Sequence, residues 1–380
     1  MNRKTKTKRD ILSIIDYALK ETSIEKAIRS SVKLNGNILK IKKKKYDLKN
    51  FDNIYVMGSG KASYRMAKSL NRILGKKISE GLVIYTKKEK KLGKIKVLRG
   101  THPFPSESSI KATKKLISLA EKTNKNDLTI YLLSGGTSSL LCHPTICLKK
   151  LIKLNEELLK SKRNIKQVNR IRRKYSSVKG GKLLEHFHGK IINLVISDVV
   201  GDSLEFIGSG SLHKKSRGVD NFILANNRML LEKAAEKARK LGYGTKIVYP
   251  NYEGNPESLV TKLKGLSKNL KSRSCIISGG EFAFKVRGKG DGGPNQDFVL
   301  RCRKIKGVTV ASIDSDGIDG NSKAAGAIAD EKDFQKHDEE EIQGYLKNSD
   351  SYTFFRKRNC SIITGPTGTN LNDLRIMIKL

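Results

Sequence analysis

Apolar and polar residues alternate along the chain with two different periods. Short apolar runs of strand length are separated, up to about residue 240, by stretches in which apolar residues recur at helical spacing. We expect strands at 53–57, 81–86, 95–98, 128–133, 191–196 and 221–225, and helices at 7–32, 62–74, 106–122, 148–162, 164–185 and 227–241. Strands and helices in alternation are typical of a doubly wound α/β domain.

The pattern changes after Gly242, where strands follow one another with fewer helices between them. We expect strands at 245–249, 275–277, 282–286, 308–313, 360–364 and 374–378, with a helix at 256–270. Two of these strands are joined only through Gly279 and Gly280, which indicates a mixed sheet. The sequence therefore predicts an α/β protein of two domains, a Rossmann-like doubly wound sheet in residues 1–240 and an α/β domain with a mixed sheet in residues 241–380.

The turn after the first strand carries Ser59, Gly60 and Lys61 and leads directly into a predicted helix. Backbone amides and an ammonium group then meet at a helix N-terminus, where anions bind. The turn is not a Walker phosphate loop, because Ala62 stands where that loop has Ser or Thr. It is not a dinucleotide fingerprint either, because Ser63 replaces the third glycine. We expect phosphate to bind here, the alternative being an ordinary strand-to-helix turn.

Further predicted strands also run into glycine, hydroxyl or acidic residues. The segments that follow them are SGGTSS at 134–139, SDVVGD at 197–202, SGGE at 278–281 and DSDGIDG at 314–320. Because the carboxyl ends of parallel strands lie at one edge of a sheet, we expect several of these loops to line one polar site. Taken singly, each loop is also explained as a turn, and the acidic loops by Asx-type turn chemistry.

Composition narrows the class of protein. The 380-residue chain has no run of eighteen apolar residues and no signal-type segment behind its basic N-terminus, so we expect a cytoplasmic protein that does not enter a membrane. Five scattered cysteines without a Cys-x-x-Cys pair argue against a disulfide framework or a zinc site.

The formal charge of +40 raises the question of nucleic acid as a partner. The basic residues are spread over nearly the whole chain, and no basic segment is interleaved with aromatic residues in the manner of single-strand binders. The distribution therefore favours a solvated basic surface over a nucleic-acid site.

Many segments of the chain, taken in order, resemble one known family, the class II glycerate kinases, which are glycerate 2-kinases with a C-terminal MOFRL domain. The segments that carry the resemblance are VMGSGKAS at 56–63, GTHPFPSE at 100–107, LSGGTSSLL at 133–141, VKGGKL at 178–183, ISDVVGD at 196–202, SGGE at 278–281, KGDGGPNQD at 289–297, DSDGIDG at 314–320 and TGTNLNDLRI at 367–376. Two segments depart from the family pattern: Pro294 replaces an arginine, and Ser211 and Leu212 replace a Pro-Thr pair.

The resemblance implies two α/β domains with an active site in the cleft between them. It also implies ATP, a divalent cation such as Mg²⁺, and phosphorylation of the 2-hydroxyl of D-glycerate to 2-phosphoglycerate. The implied partners are thus a small hydroxy acid and a nucleotide, with a monomer or a homodimer as the assembly.

Phosphoryl transfer needs cations on the phosphoryl oxygens and a base or a metal for the hydroxyl, and residues of the matching segments supply both. We expect Lys61 and Asp198 to be catalytic. The expected substrate contacts are Ser59, Gly60, His102, Gly135, Gly136 and Thr137. The expected nucleotide contacts are Lys179, Gly180, Gly279, Gly280, Glu281 and Asn295, and the expected metal ligands are Asp198, Asp202 and Asp316, with Asp319 in a similar role.

Two other functions compete with the kinase. Glycine loops of α/β domains also hold nicotinamide cofactors, so a hydroxypyruvate reductase dependent on NAD(P)H is the first alternative. A basic nucleic-acid-binding protein is the second, and it predicts retention on DNA or RNA that falls steeply with salt.

Overall fold

The computed structural model describes residues 5–161, 165–214, 218–335 and 338–380. The helices are α1 (Lys6–Glu21), α2 (Ile24–Ser31), α3 (Ser63–Leu74), α4 (Glu107–Glu121), α5 (Thr137–Leu140), α6 (Leu148–Lys160), α7 (Ile165–Lys174), α8 (Asn227–Lys240), α9 (Pro256–Ser267), α10 (Pro294–Arg301), α11 (Glu339–Lys347) and α12 (Ser351–Lys357). The strands are β1 (Val32–Asn35), β2 (Ile38–Ile41), β3 (Lys44–Asp47), β4 (Ile54–Ser59), β5 (Glu80–Tyr85), β6 (Ile95–Arg99), β7 (Leu128–Ser134), β8 (Lys190–Ile196), β9 (Val219–Ala225), β10 (Gly244–Ile247), β11 (Tyr252–Gly254), β12 (Ser274–Phe282), β13 (Val308–Asp314), β14 (Gly326–Asp330), β15 (Ser361–Ile362) and β16 (Asp373–Lys379).

The chain forms two compact units. The inserted unit comprises Ile24–Ala225, and the terminal unit comprises the chain up to Ser23 together with Asn226–Leu380. This division differs from the predicted boundary at 240, because α8 belongs to the terminal unit and so does α1. The two helices pack against each other, and Tyr17 of α1 donates a hydrogen bond to Glu236 Oε1 of α8 at 2.7 Å.

A six-stranded parallel sheet forms the centre of the inserted unit, in the order β6-β5-β4-β7-β8-β9. Strand β7 is buried along its whole length, and β4 and β8 are buried nearly throughout. Continuous apolar strands of this kind are expected where helices cover both faces of a parallel sheet. The prediction of a doubly wound α/β sheet is confirmed.

A small antiparallel sheet of β1, β2 and β3 in the inserted unit is absent from the sequence prediction. Leu39, Ile41 and Tyr46 are buried, while lysines occupy many of the exposed positions between them. The lysine run at 42–45 supplies the first residues of β3. Because lysines occupy so many of the exposed positions, the period-two alternation of a strand is visible only in the buried residues.

The terminal unit is built on a mixed sheet in the order β10-β12-β16-β13-β14-β15, with β11 also paired to β12. Strand β16 lies between β12 and β13 and is antiparallel to both, whereas β10 and β11 run parallel to β12. Phe298, Phe354 and Phe355 are fully buried in its core. The predicted mixed sheet is confirmed.

Several predicted elements differ from those observed, and the helix expected at 7–32 is divided into α1 and α2. The two strands expected at 275–277 and 282–286 are one strand, β12, which passes through Gly279 and Gly280 and ends at Phe282. The helix expected at 164–185 begins at a residue outside the described chain, and α7 ends at Lys174. The helix expected at 148–162 ends as α6 at Lys160, and residue 162 also lies outside the described chain.

None of the described helices combines the length and the apolar character that crossing a bilayer requires.

Candidate functional site

The parallel sheet changes direction between its two central strands. From β4 the chain proceeds outwards through β5 to β6, and from β7 it proceeds in the opposite direction through β8 to β9. At such a switch point the turns after the two central strands diverge and leave a crevice in which ligands of α/β proteins bind. The turns in question contain Gly60 and Lys61 after β4, and Gly135 and Gly136 after β7.

Hydrogen bonds hold these two turns together. The backbone N–H of Lys61 donates to Gly135 O at 2.8 Å, and the N–H of Ala62 donates to Ser134 Oγ at 3.1 Å. Gly60 has a φ of +128°, and a Cβ at this position would stand 2.1 Å from Ser134 Oγ. Only glycine satisfies both conditions, so Gly60 shapes the turn.

Lys61 and His102 pass over the face of Gly136. A Cβ built on Gly136 would stand 3.0 Å from Lys61 Cγ and 3.1 Å from His102 Cδ2, and its φ is +82°. The glycine therefore admits both side chains to the crevice. The structure brings together three residues that the sequence predicted to share a site.

Asp198 reaches the same crevice from the loop after β8. Its carboxylate lies against the Cα of Gly135, where a Cβ would stand 1.9 Å from Oδ2. Burial raises the pKa of Asp198, and the Lys61 ammonium acts against that rise. A carboxyl group with a raised pKa beside a cation suits a general base.

His102 is neutral at physiological pH. The residue is exposed overall, yet partial desolvation of its imidazole and the charge of Lys61 lower its pKa to about 4. It can therefore exchange hydrogen bonds with a ligand but adds no charge to the site.

Ser59 and Thr137 lie at the switch point but face the protein. Thr137 Oγ1 donates to Ser59 O at 2.8 Å, and the Ser59 hydroxyl is hydrogen-bonded to the Tyr131 hydroxyl at 2.9 Å. Both residues are buried. Their hydroxyls bond within the protein and tie β4 to the turn after β7. Contact of the two residues with substrate stays a prediction.

Asp202 shares the loop of Asp198. Its backbone has a φ of +56°, and its N–H donates to Val199 O at 3.0 Å, which closes the turn. The third predicted metal ligand, Asp316, belongs to the terminal unit, so the three carboxylates do not come from a single loop.

Lys179 and Gly180 belong to a polar region of the inserted unit close to the turn after β7. Gly180 N–H donates to Ser209 O at 3.1 Å, and the Ser209 hydroxyl is hydrogen-bonded to that of Ser138 at 2.9 Å. Lys179 is only 5% exposed, and burial lowers its pKa to about 8, with Arg172 acting in the same direction.

Gly279 and Gly280 of the terminal unit have a packing role. A Cβ on Gly279 would stand 2.1 Å from Asn227 Oδ1, and one on Gly280 would stand 2.2 Å from Tyr252 O. Both glycines lie inside β12, where they let α8 and β11 approach the strand. Glu281 follows on the same strand and is exposed. The nucleotide loop expected here is thus a closely packed strand.

Asn295 and Asp319 form a buried hydrogen-bonded pair at the start of α10. Asp319 Oδ1 accepts from the Asn295 N–H at 3.0 Å, and Oδ2 accepts from the Gln296 N–H at 2.9 Å. The Asn295 amide also donates to Asp373 Oδ1 at 2.7 Å. These bonds cap α10 and engage the Asn295 amide nitrogen with protein oxygens, and contact of Asn295 with a nucleotide stays a prediction.

Asp316 forms an Asx turn. Its Oδ1 accepts from the Ile318 N–H at 2.9 Å, and its own N–H donates to Asp314 Oδ1 at 3.0 Å. Burial and the carboxylates of Asp316 and Asp373 raise the pKa of Asp314. Across the described residues no three His, Cys, Asp or Glu side chains are grouped so that they could hold a metal ion together.

Several polar residues of these regions were not predicted from the sequence. Ser134 joins the two switch-point turns, Asn169 of α7 accepts from the Ser209 hydroxyl at 3.0 Å, and Arg375 is fully buried beside Asp373. Ser134 and Arg375 lie within segments that carry the family resemblance, whereas Asn169 stands in a helix rich in basic residues and offers no such signal.

The fold and the site define an α/β protein of two units whose candidate site lies at the switch point of a parallel sheet. The family described as a domain of unknown function (DUF4147) matches residues 10–241, and the MOFRL family matches residues 274–373. A D-glycerate 2-kinase of Thermotoga maritima is 33% identical, over 86% of this chain and 91% of its own. The crystal structure of a glycerate kinase from Thermotoga maritima has a TM-score of 0.87 at 29% identity, and covers 98% of this chain and 99% of its own.

A relative from Agrobacterium vitis that carries the name of a hydroxypyruvate reductase is 30% identical, over 85% of this chain and 98% of its own. The chain belongs to the MOFRL-domain family of class II glycerate kinases. The resemblance stated from the sequence segments is thereby confirmed.

Proposed function

We propose that this chain transfers the terminal phosphoryl group of ATP to the 2-hydroxyl of D-glycerate. The observation that carries the proposal is that the side chains of Lys61 and Asp198 lie over the adjacent glycines Gly136 and Gly135 of the switch point, in a chain of the glycerate 2-kinase family. Phosphoryl transfer requires mainly that two anions be positioned in line and that charge on the phosphoryl oxygens be neutralised. A cation beside a carboxyl of raised pKa supplies the polar groups for both reactants.

Asp198 is the proposed base. As the 2-hydroxyl oxygen attacks the γ-phosphorus, its proton passes to the Asp198 carboxylate. The bond from the γ-phosphorus to the bridging oxygen breaks, and ADP departs with the electron pair of that bond. Asp198 then releases the proton to water, which restores the carboxylate. The raised pKa of Asp198 brings its basicity closer to that of a useful base at neutral pH.

Lys61 is the proposed phosphoryl contact. Its ammonium neutralises charge that develops on the transferred group, which is the usual role of a lysine in this chemistry. His102 accompanies it as a neutral hydrogen-bonding group. Gly60, Gly135 and Gly136 present backbone instead of side chains, so a ligand can approach the two turns closely.

A magnesium ion fits this site only as a companion of the nucleotide. The described residues lack a group of three or more metal-binding side chains, but Mg²⁺ in kinases needs one or two carboxylates and takes its other ligands from phosphate and water. Asp198, with Asp202 on the same loop, would hold it. When bound, the ion supplies positive charge to the phosphate oxygens.

The deciding experiment is a coupled assay of ADP formation with D-glycerate, L-glycerate and a panel of short hydroxy acids. Phosphorus NMR of the product distinguishes 2-phosphoglycerate from its 3-isomer. We expect ADP and 2-phosphoglycerate to form in equal amounts with D-glycerate. Absence of ADP formation with every acid, in a folded preparation with Mg²⁺, would overturn the proposal.

A reductase is the second candidate, because one relative carries that name. The structure offers little for a nicotinamide cofactor: β5 ends at Tyr85, and the residues that follow are Thr86 and Lys87, where dinucleotide folds place an acid for the ribose. Oxidation of NADH or NADPH by hydroxypyruvate, followed by the absorbance of the reduced cofactor, tests it directly.

A further inference from the structure

A group of buried polar side chains lies in the inserted unit next to the turn after β7. We call it the donor pocket; it consists of Ser138, Asn169, Lys179, Ser209 and Ser211. Asn169 is 2% exposed and Lys179 5%, and Ser209 and Ser211 are fully buried, while Ser138 is partly open. Four separate segments contribute to it, namely α5, α7, the loop before the glycine pair at 180–181, and the turn at 207–211.

The donor pocket is rigidly fixed by the protein. The Ser209 hydroxyl donates to Asn169 Oδ1 at 3.0 Å and is hydrogen-bonded to the Ser138 hydroxyl at 2.9 Å. Arg173 donates to Glu205 O at 2.5 Å and to Ser209 O at 3.4 Å, which anchors the turn at 207–211 to α7. The groups of the pocket are therefore held in place before any ligand binds.

Donors in this pocket outnumber acceptors. Asn169 Nδ2 and Ser211 Oγ have no hydrogen-bond partner although both atoms are buried. The groups that act on the Lys179 ammonium are the Cys142 thiol and Arg172, and in the described chain no Asp or Glu forms an ion pair with it. Buried donors and a buried cation are costly without an acceptor, so this arrangement is complete only when an anion is bound.

We propose that the donor pocket binds the carboxylate group of the hydroxy-acid substrate, a role that rests on the proposed function. Lys179 is the one charged member of the pocket and matches the single negative charge of a carboxylate, whereas a triphosphate would bring several charges. Arg172, which also acts on Lys179, donates a hydrogen bond to Asn155 Oδ1 at 3.3 Å. The location agrees with the chemistry: a 2-hydroxy acid carries its reacting oxygen one carbon from its carboxylate, and Ser138 lies two residues beyond Gly136 in the same turn. The pocket thus orients the acid so that its 2-hydroxyl is directed to Asp198.

The sharpest test is Asn169→Asp. Aspartate keeps the oxygen that accepts from Ser209 and replaces the unpartnered donor by a negative charge within the donor pocket, where it repels a bound carboxylate. The variant should fold at least as stably as the wild type, because its carboxylate occupies the place of the substrate's. The dissociation constant for D-glycerate, measured by calorimetry without nucleotide, should rise by roughly 100-fold.

Lys179→Met complements that variant, and Lys174→Met is the matched control. Lys174 is an exposed lysine at the end of α7, so its loss changes the net charge equally without touching the pocket. We expect D-glycerate binding to weaken by roughly 30-fold or more in Lys179→Met and to be unchanged in Lys174→Met, with the dissociation constant for ATP unaltered in both. Unchanged D-glycerate binding in Asn169→Asp and Lys179→Met would overturn the inference, and a selective loss of ATP binding would assign the pocket to phosphate instead.

The same preparations separate this inference from the proposed function. If D-glycerate and L-lactate raise the melting temperature of the wild type but not of Asn169→Asp, the pocket binds carboxylates whether or not ADP is formed. If ADP forms with an unchanged KM for D-glycerate in both variants, the kinase assignment stands and the pocket assignment is wrong.

Discussion

The carboxylate of Asp198 occupies the space that a side chain at Gly135 would need. A Cβ at residue 135 would stand 1.9 Å from Asp198 Oδ2 and 2.5 Å from its Cγ. Gly135→Ala must therefore displace the carboxylate, and we expect turnover to fall by about 100-fold. Gly218→Ala is the control in the same unit, since a Cβ there meets nothing within 4 Å. Steady-state kinetics of the two variants measure the effect, and equal activity would show that Asp198 can leave Gly135 without cost to the reaction.

Lys61→Met should lower kcat by about 100-fold or more, because a charge-assisted contact to the transferred phosphoryl group is lost. Lys68→Met, on the exposed face of α3, removes the same charge from the same helix and should behave as wild type. Near-normal turnover in Lys61→Met would show that the turn after β4 has only a structural role.

Lys61→Met should also change how activity depends on pH. Burial raises the pKa of Asp198 and the Lys61 charge counteracts that rise, so removing the charge raises this pKa further. The base must be ionised to act, and the acidic limb of kcat/KM should therefore move to higher pH. The pKa of His102, which Lys61 helps to hold at about 4, should rise in the same variant and can be followed by NMR of the imidazole protons. A pH profile that coincides with that of the wild type would contradict this coupling.

Asp198→Asn and Asp202→Asn distinguish a base from a metal ligand. Asparagine keeps the shape of the side chain and removes its charge and basicity, so Asp198→Asn should lose about 1,000-fold in turnover at every magnesium concentration. A residue that only holds the ion should instead show a raised magnesium requirement and recover at saturation. Turnover across a magnesium titration gives the answer, and full activity in both variants would exclude the loop after β8 from the chemistry.

Lys179 should lower the stability of the ligand-free protein. Its pKa falls from 10.5 to about 8 on folding, which corresponds to about 3 kcal/mol. The folded state binds fewer protons than the unfolded state between these two values, so wild-type stability rises with pH through this window and the penalty is complete below it. Lys179→Met should therefore be more stable than wild type at pH 7 by up to about 3 kcal/mol, and the difference should shrink towards pH 10. Urea denaturation of the wild type and of Lys179→Met at pH 7 and at pH 10 measures the difference in stability. Both proteins retain Cys142 and Arg172, the other groups that act on the pKa of Lys179.

Asp319→Ala should destabilise the terminal unit by about 3 kcal/mol, because donors of Asn295 and Gln296 lose their acceptor in a buried position. Asp316→Ala removes one Asx-turn bond and should cost under about 1 kcal/mol. Thermal unfolding of the two variants tests the contrast. A larger effect of Asp316→Ala on stability would reverse the two assignments.

The sequence predicted the parallel sheet well because its strands are continuous apolar runs. The expected strand at 128–133 is β7, and the expected helix at 62–74 is α3. The segment SGG also occurs twice, at 134–136 after β7 and at 278–280 inside β12, and only the first forms a turn at the switch point. The two segments differ in the backbone that packs against them. A local sequence pattern carries no information about that packing.

The candidate site was only partly predictable, because it also depends on which loops the fold brings together. Lys61, His102 and Asp198 lie close together because the strand order brings their loops to one edge of the parallel sheet. Glycine-containing loops after predicted strands indicate such an edge in the sequence. Asn169 gave no signal, since its burial depends on packing of α7 against the turn at 207–211. Ser59 and Asn295 illustrate the converse: a polar residue in a matching segment can be committed to the protein itself.

The split of the terminal unit has a consequence for how the protein is made. On the ribosome α1 emerges about 200 residues before α8, against which it packs, and β16 at the centre of the mixed sheet follows later still. The inserted unit can complete its parallel sheet during this interval, since compact units fold as their residues appear. The apolar face of α1 therefore stays without its packing partner on the nascent chain until α8 has been made. Binding of chaperones to this face should affect the yield of active protein more than any step within the inserted unit.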